Sequence, residues 1–154
     1  MKTGQSAFVI AEYILFKAGE VGSFVSNLKL QKLLYYAQGW HLAHNQTELF
    51  NEKMEAWVHG PVIPALYSHY KHFGSSPITS PEENPILSEE TQEFLEKFLQ
   101  NYLPIDAYEL ELSSHREKPW IEARGGLQPD QPCNTEISIN TMKEYFTNWL
   151  NSKD

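Results

Sequence analysis

The stretch Leu28–Leu42, LKLQKLLYYAQGWHL, decides the fold. Leu30, Leu33, Leu34, Ala37, Trp40 and His41 recur at the three- and four-residue spacing that places side chains on one face of a helix. Tyr35, Tyr36 and Leu42 widen that face. The pattern predicts a helix over about 28–45, opened by Ser26 or Asn27 as the capping residue and buried on much of its circumference.

Working outward, Phe8, Ala11, Ile14 and Leu15 predict a first helix over Ala7–Ala18. Ser6 caps its start, and Gly19 and Gly22 mark its end. After the central helix the period changes. Glu48-Leu49-Phe50 and Met54–Val58 are short and extended in character, with Asn51-Glu52-Lys53 able to turn between them, which predicts a small β-hairpin near residues 48–58. Gly60-Pro61 then ends the hairpin. Pro61 has the fixed φ favoured at a first helical position, so a third helix is expected from there, lined by Val62, Ala65, Leu66, Tyr70 and Phe73.

The segment Gly74–Pro85, GSSPITSPEENP, carries three prolines and three serines. It reads as an exposed connection over about 74–87. Ser88 caps a helix through Tyr102, with Phe94, Leu95, Phe98, Leu99 and Tyr102 on one face and Glu89, Glu90 and Glu93 near its positive end. Asp106-Ala107-Tyr108-Glu109 has the form of a capping box that opens a short helix to about Ser113. Pro119–Arg124 should give one or two more turns, and Gly125–Asn134 a loop. Ser138 or Asn140 opens a last helix that faces Met142, Tyr145, Phe146, Trp149 and Leu150 to the core. The expected fold class is mainly α, a single domain over residues 1–154 with about six or seven helices and one small hairpin.

Apolar residues form 41% of the 154-residue chain and aromatics 13%, enough to build a packed core and too many for a disordered chain. No apolar run approaches the ~20 residues of a membrane-spanning helix. Phe8–Phe16 is interrupted by Glu12, follows a single Lys2, and lacks a small-residue cleavage site, so no secretory signal is read. Cys133 has no partner for an internal disulfide. These features place the protein in the cytoplasm, away from membranes. The net charge of −8 is uneven: 6 Lys and Arg stand against 5 acids through Pro77, and 6 against 15 from Ile78 onward. An acidic surface repels phosphate backbones, which makes nucleic acid an unlikely partner. It suits a basic protein partner or serves as plain solubilising surface.

Few residues carry the signature of chemistry. His41 and His44, and again His69 and His72, stand three apart and could hold a metal if their helices face each other. No H-E-x-x-H or C-x-x-C string supports that, and ordinary packed or surface histidines are the simpler reading. His115 is the best acid–base candidate, because Arg116, Glu117 and Arg124 crowd it and a carboxylate there would raise its pKa. Ser113 and Ser114 beside it lack a nucleophile elbow. The plainer reading is that His115 and Trp120 fix a turn between two short helices by a backbone hydrogen bond and a packed indole. Cys133 has no neighbouring base or cation to activate it. Lys29, Gln31 and Lys32 beside Tyr35 and Tyr36 provide too few cations for a nucleic-acid surface. No catalytic residue, cofactor or metal is expected.

Four patterns in fixed order resemble the Panacea domain of SocA-like antitoxins and GepA-like phage-associated proteins. They are Leu28–Leu42, then Glu48–Phe50 with Glu55–Pro64 (EAWVHGPVIP), then Leu66-Tyr67 through Tyr70-Lys71, and Ala107–Arg124 (AYELELSSHREKPWIEAR). Gly60, Pro61, His115, Trp120 and Arg124 are the motif positions. The resemblance implies a mostly helical fold with a small β-element. It also implies an antitoxin of a type II toxin–antitoxin system, which binds its cognate toxin and performs no chemistry. The alternatives are an adaptor that delivers a client to a cytoplasmic protease, as some members resemble, and less favoured, a small hydrolase using His115. For a partner-binding face the aromatic residues Tyr35, Tyr36, Trp40, Trp57, Tyr67 and Tyr70, with His72, are the candidates. Most should be packed inside and two or three should lie on the face.

Overall fold

The computed structural model describes residues 5–152. The fold is mainly α, with seven helices and a two-stranded antiparallel hairpin. The helices are α1 (Ala7–Glu20), α2 (Asn27–Asn45), α3 (Pro64–Tyr70), α4 (Glu89–Tyr102), α5 (Ala107–His115), α6 (Lys118–Arg124) and α7 (Ile139–Ser152). Strands β1 (Glu55–Trp57) and β2 (Gly60–Val62) lie between α2 and α3, and a single 3-10 turn, Lys71–Phe73, follows α3. The capping residues read from the sequence do their work. The hydroxyls of Ser6, Ser26 and Ser88 accept from the amides of Phe8, Lys29 and Thr91, and Asp106 accepts from Tyr108. Each satisfies an amide that the helix start leaves without a partner. Ser138 does the same for Thr141 at the start of α7.

The other elements surround α2. It contacts α1, α3, α4, α5, α7 and β2. Leu30, Leu33, Leu34, Tyr35 and Ala37 are fully buried, and Tyr36 nearly so. The closest partner is α7, whose Phe146 ring packs edge-on against Tyr35, Tyr36 and Trp40 at 5.2–6.0 Å between centroids. Gly39 makes this approach possible, because a Cβ there would lie 2.3 Å from Phe146 Cε2.

The hairpin is present but sits further along the chain than residues 48–58. Residues 48–50 form no strand, and β1 and β2 are joined at Val58-His59. Gly60, at φ 106°, takes up the left-handed twist after the turn, a conformation that disfavours any residue with a Cβ. Pro61 does not start a helix. It pairs with Ala56 inside the hairpin, and α3 begins at Pro64. The reason lies in the alternation of an antiparallel ladder. Ala56 directs its amide to Thr135 O at 3.0 Å and its carbonyl to Arg124, away from β2. Its opposite number needs no N–H, and a proline fits there.

Between the 3-10 turn and α4 the chain has no regular structure and most side chains are exposed. It is tied down by Ile78, whose amide donates to Val25 O, and by Ser80, which donates to Leu15 O. Ile78 and Leu87 are buried. No helix among the described residues is long and apolar enough to cross a membrane.

Gly39→Ala tests the α2–α7 contact. In an open helix this change gains about 1 kcal/mol of helix propensity. Against Phe146 it should instead cost about 1–3 kcal/mol by overpacking and lower the melting temperature. A melting point at or above wild type would mean that Phe146 is not seated on Gly39.

Candidate functional site

Most polar side chains of α2 are buried with its apolar ones: Asn27, Lys29, Gln31, Lys32, Gln38 and His41 are inside, and of the polar ones only His44 and Asn45 at its end are exposed. Their partners are mostly backbone groups of irregular segments. Gln38 accepts from Leu49 N at 2.7 Å and donates to Phe50 O at 2.9 Å. These bonds satisfy the backbone of 49–50, which has no partner strand. Gln31 accepts from Ile63 N at 2.9 Å and donates to Asn27 Oδ1, and Asn27 donates to Tyr67 O. Lys32 Nζ reaches Pro61 O at 3.3 Å, Lys29 Nζ reaches Leu103 O at 2.6 Å, and His41 Nδ1 lies 2.7 Å from Thr47 O. Burial pushes the Lys32 ammonium down to about 7, against the pull of Glu111.

A second polar centre joins α2 to the α5–α6 corner. Glu117 is 4% exposed and accepts from the hydroxyls of both Tyr35 and Tyr36 at 2.9 Å. Burial pushes its carboxyl up to about 7, even though the two phenols favour the charged form. Burial together with the nearby Glu117 raises both phenols well above the ordinary tyrosine value.

The motif residues form a column beside the hairpin. His115 stacks on Trp120 with ring centroids 4.2 Å apart, and the Arg124 guanidinium lies 4.6 Å from the indole centroid. Trp120 Nε1 donates to Trp57 O at 2.8 Å, and Arg124 donates to the carbonyls of Ala56, Gln128 and Gln131. His115 bonds the Val58 backbone. The column thus holds the outer side of β1 and the turn. The expectation that a carboxylate raises the His115 pKa is corrected: burial lowers it, and Glu111 only opposes that shift. Glu117, next in sequence to Arg116, turns instead to the tyrosines. Ser114 Oγ donates to Glu111 O in its own helix.

Among the aromatic candidates for a partner face, Tyr35, Tyr36 and Tyr70 are buried. Trp40, Trp57 and Tyr67 are half-buried, on two separate areas. Trp57 and Tyr67 pack together at 5.2 Å beside the hairpin. Trp40 lies on the wall of a half-open groove of about 1090 Å³ between α2 and α4. His72 is exposed on the 3-10 turn against Phe73. His69 packs on Phe8 and Tyr70, and no group of three or more His, Cys, Asp or Glu among the described residues is placed to hold a metal. Cys133 is half-buried. The sequence reading missed Gln31, Gln38 and Glu117. The available signal was the lack of a clean polar face on α2, where polar and apolar residues alternate through the whole helix.

His115 and Trp120 of the column, and Gln31, Lys32, Gln38 and His41 of the α2 polar set, lie within the region matched by the sequence model of the antitoxin SocA-like, Panacea domain family, which covers residues 30–121. The chain belongs to this family. A curated relative, the antitoxin SocA of Caulobacter vibrioides (strain NA1000 / CB15N), is 44% identical over 61 residues, or 40% of this chain. The matched stretch spans 32% of that protein. No solved structure matches. The Panacea region runs from α2 into α6, so it includes the groove, the hairpin and Glu117, while α7 and Arg124 complete the packing from outside it.

The pH dependence of stability tests the Glu117 centre. The unfolded chain releases this proton near the ordinary value of 4.5, and the folded one holds it to about 7. The stability given by the protonated acid is complete below 4.5 and lost as pH rises from there towards 7. Glu117→Gln removes that loss. The melting temperature of the variant relative to wild type should therefore rise by about 5 °C between pH 5 and pH 8. A difference independent of pH would show that Glu117 is charged throughout.

Proposed function

We propose that this Panacea-domain chain is an antitoxin that neutralises a cognate type II toxin by direct complex formation in the cytoplasm, and that it works as a binding module and not as an enzyme. The observation that carries the reading is membership of a SocA-like antitoxin family over more than half of the chain, together with a curated relative named as an antitoxin.

The geometry supports binding over catalysis in one respect. The residues with the best credentials for chemistry are packed into the scaffold, where His115 Nε2 is buried without a hydrogen-bond partner among the described residues. His115 is stacked on Trp120 and bonded to Val58, Ser114 is bonded within its helix, and Lys32 lies under the hairpin on Pro61 O. A general base must reach the proton it removes, and a nucleophile must be open to its substrate. The half-buried aromatics Trp40, Trp57 and Tyr67 are of the kind enriched at protein interfaces.

Co-expression with the toxin-like product of the adjacent gene should restore growth, and the two proteins should co-purify in fixed stoichiometry. Growth arrest despite co-expression would defeat the reading. Rescue accompanied by a shortened toxin half-life would instead favour delivery to a protease. His115→Phe keeps the stacked ring and removes both nitrogens, so rescue should be retained in full. Loss of rescue by a folded His115→Phe variant would revive a catalytic role.

A further inference from the structure

The groove between α2 and α4 stands apart from the scaffold bonds described above. One wall is α4, where Phe94, Phe98 and Tyr102 fall at successive helical turns and stack with centroids 6.4 and 4.7 Å apart. The other wall is α2. His41 meets Phe94 edge-on at 5.1 Å, and Trp40 Nε1 donates to the Tyr102 hydroxyl at 2.6 Å, which closes the floor. Trp40, Phe94 and Tyr102 are only half-buried, so the aromatic surface continues into the open space.

Size and shape select a kind of occupant. About 1090 Å³ exceeds the usual range of ~300–1,000 Å³ for small-molecule pockets, and the groove is half open to solvent. A trough between two helices with apolar walls suits a third helix laid along it. Charge selects further. Glu90 and Glu93 line the mouth, both are exposed, and neither forms an ion pair among the described residues. Glu89 adds a third carboxylate on the same end of α4. The groove's own lysine, Lys97, lies one helical turn further on. Carboxylates beside exposed aromatic faces attract a cation twice over, by charge and by the ring quadrupole.

We propose that the groove receives a cationic amphipathic helix of the partner protein, its apolar side against Trp40, Phe94 and Tyr102 and its Lys or Arg side chains against Glu90 and Glu93. The identity of the partner as a toxin rests on the antitoxin reading; the chemistry of the groove does not. The acidic balance of the second half of the chain steers such a helix to this side.

Calorimetric titration of the full chain with a synthetic 15-residue Leu–Lys amphipathic helix, and with its Leu–Glu counterpart, tests the proposal. Wild type should bind the cationic helix at least about tenfold more tightly than the acidic one. Glu90→Lys with Glu93→Lys should weaken that binding about tenfold, whereas Glu82→Lys with Glu83→Lys, the same charge change on the exposed loop, should alter it by less than about twofold. Lys97→Glu should tighten it, a gain that a damaged fold cannot imitate. No binding, no preference for the cationic helix, equal losses in the two double variants, or no gain from Lys97→Glu would each overturn the proposal. In the growth assay, Glu90→Lys with Glu93→Lys should lose rescue. Full rescue by that variant would sink the groove proposal and leave the antitoxin reading standing. Failure of wild type to rescue would sink the antitoxin reading, and the titration would then decide the groove by itself.

Discussion

A helix buried on almost its whole circumference must satisfy every polar side chain it takes inside. This constraint governs the structure. α2 carries Asn27, Lys29, Gln31, Lys32, Gln38 and His41 into the interior. An unmatched buried amide or ammonium costs about 1–3 kcal/mol or more, so each must find a partner. The neighbouring chain supplies partners by staying irregular. Regular elements add only carbonyls, Tyr67 O of α3 and the outward-facing Pro61 O of β2. The stretch from Thr47 to Ile63 turns backbone groups towards α2: Gln38 both donates to it and accepts from it, and Gln31 accepts from Ile63 N while donating to Asn27 in its own helix.

The same logic explains why the hairpin is so short. Only Glu55–Trp57 and Gly60–Val62 pair with each other, because the flanking Ile63 amide is engaged by Gln31 and the Met54 carbonyl by Ile137 N. The outer side of the hairpin cannot be left open either. Ala56 offers an amide and a carbonyl there, and Trp57 another carbonyl. Thr135, Arg124 and Trp120 take them. Arg124 is a buried cation with no carboxylate paired to it among the described residues, balanced by the carbonyls of Ala56, Gln128, Pro129 and Gln131 and by an aromatic face. His115, Trp120 and Arg124 are thus explained as one device, a clamp on an edge that α2 cannot reach. Lys32 works from the opposite side, passing so close beneath Gly60 that a Cβ there would lie 2.5 Å from its Cε.

The helices were legible because their signals are local. Apolar spacing gives the faces of α1, α4 and α7, and Ser6, Ser26, Ser88 and Asp106 mark the starts. The hairpin register was not, because it depends on which backbone groups a distant glutamine claims. Leu49-Phe50 has the composition of a strand, but Gln38 takes the backbone groups that a partner strand would. Pro61 misled for a related reason: the missing N–H that favours a helix start is equally suited to a ladder position facing away from its neighbour. Glu117 was hidden by adjacency. Its sequence neighbours His115 and Arg116 suggested a charge cluster, but an N-cap position on α6 turns the side chain towards α2, more than 80 residues earlier in the chain.

Placing Glu117 and Lys32 in the same interior has a consequence for how the fold responds to its surroundings. Neither has a charged partner within hydrogen-bonding distance, and burial shifts the two in opposite directions to about the same value, near 7. Each is therefore a group whose charged form the interior disfavours, and neither is repaid by an opposite charge at hand. A chain that kept such groups for stability alone would do better with apolar residues of the same volume. Here their value lies in position. Lys32 fixes the hairpin at Pro61, Glu117 fixes α6 to two tyrosines of α2, and both tie their neighbours to the helix that also forms one wall of the α2–α4 groove. Rigidity at that wall keeps Trp40 in place against Tyr102. An aromatic groove held open by a rigid floor loses little freedom when another helix enters, and this lowers the cost of association that every interface must overcome.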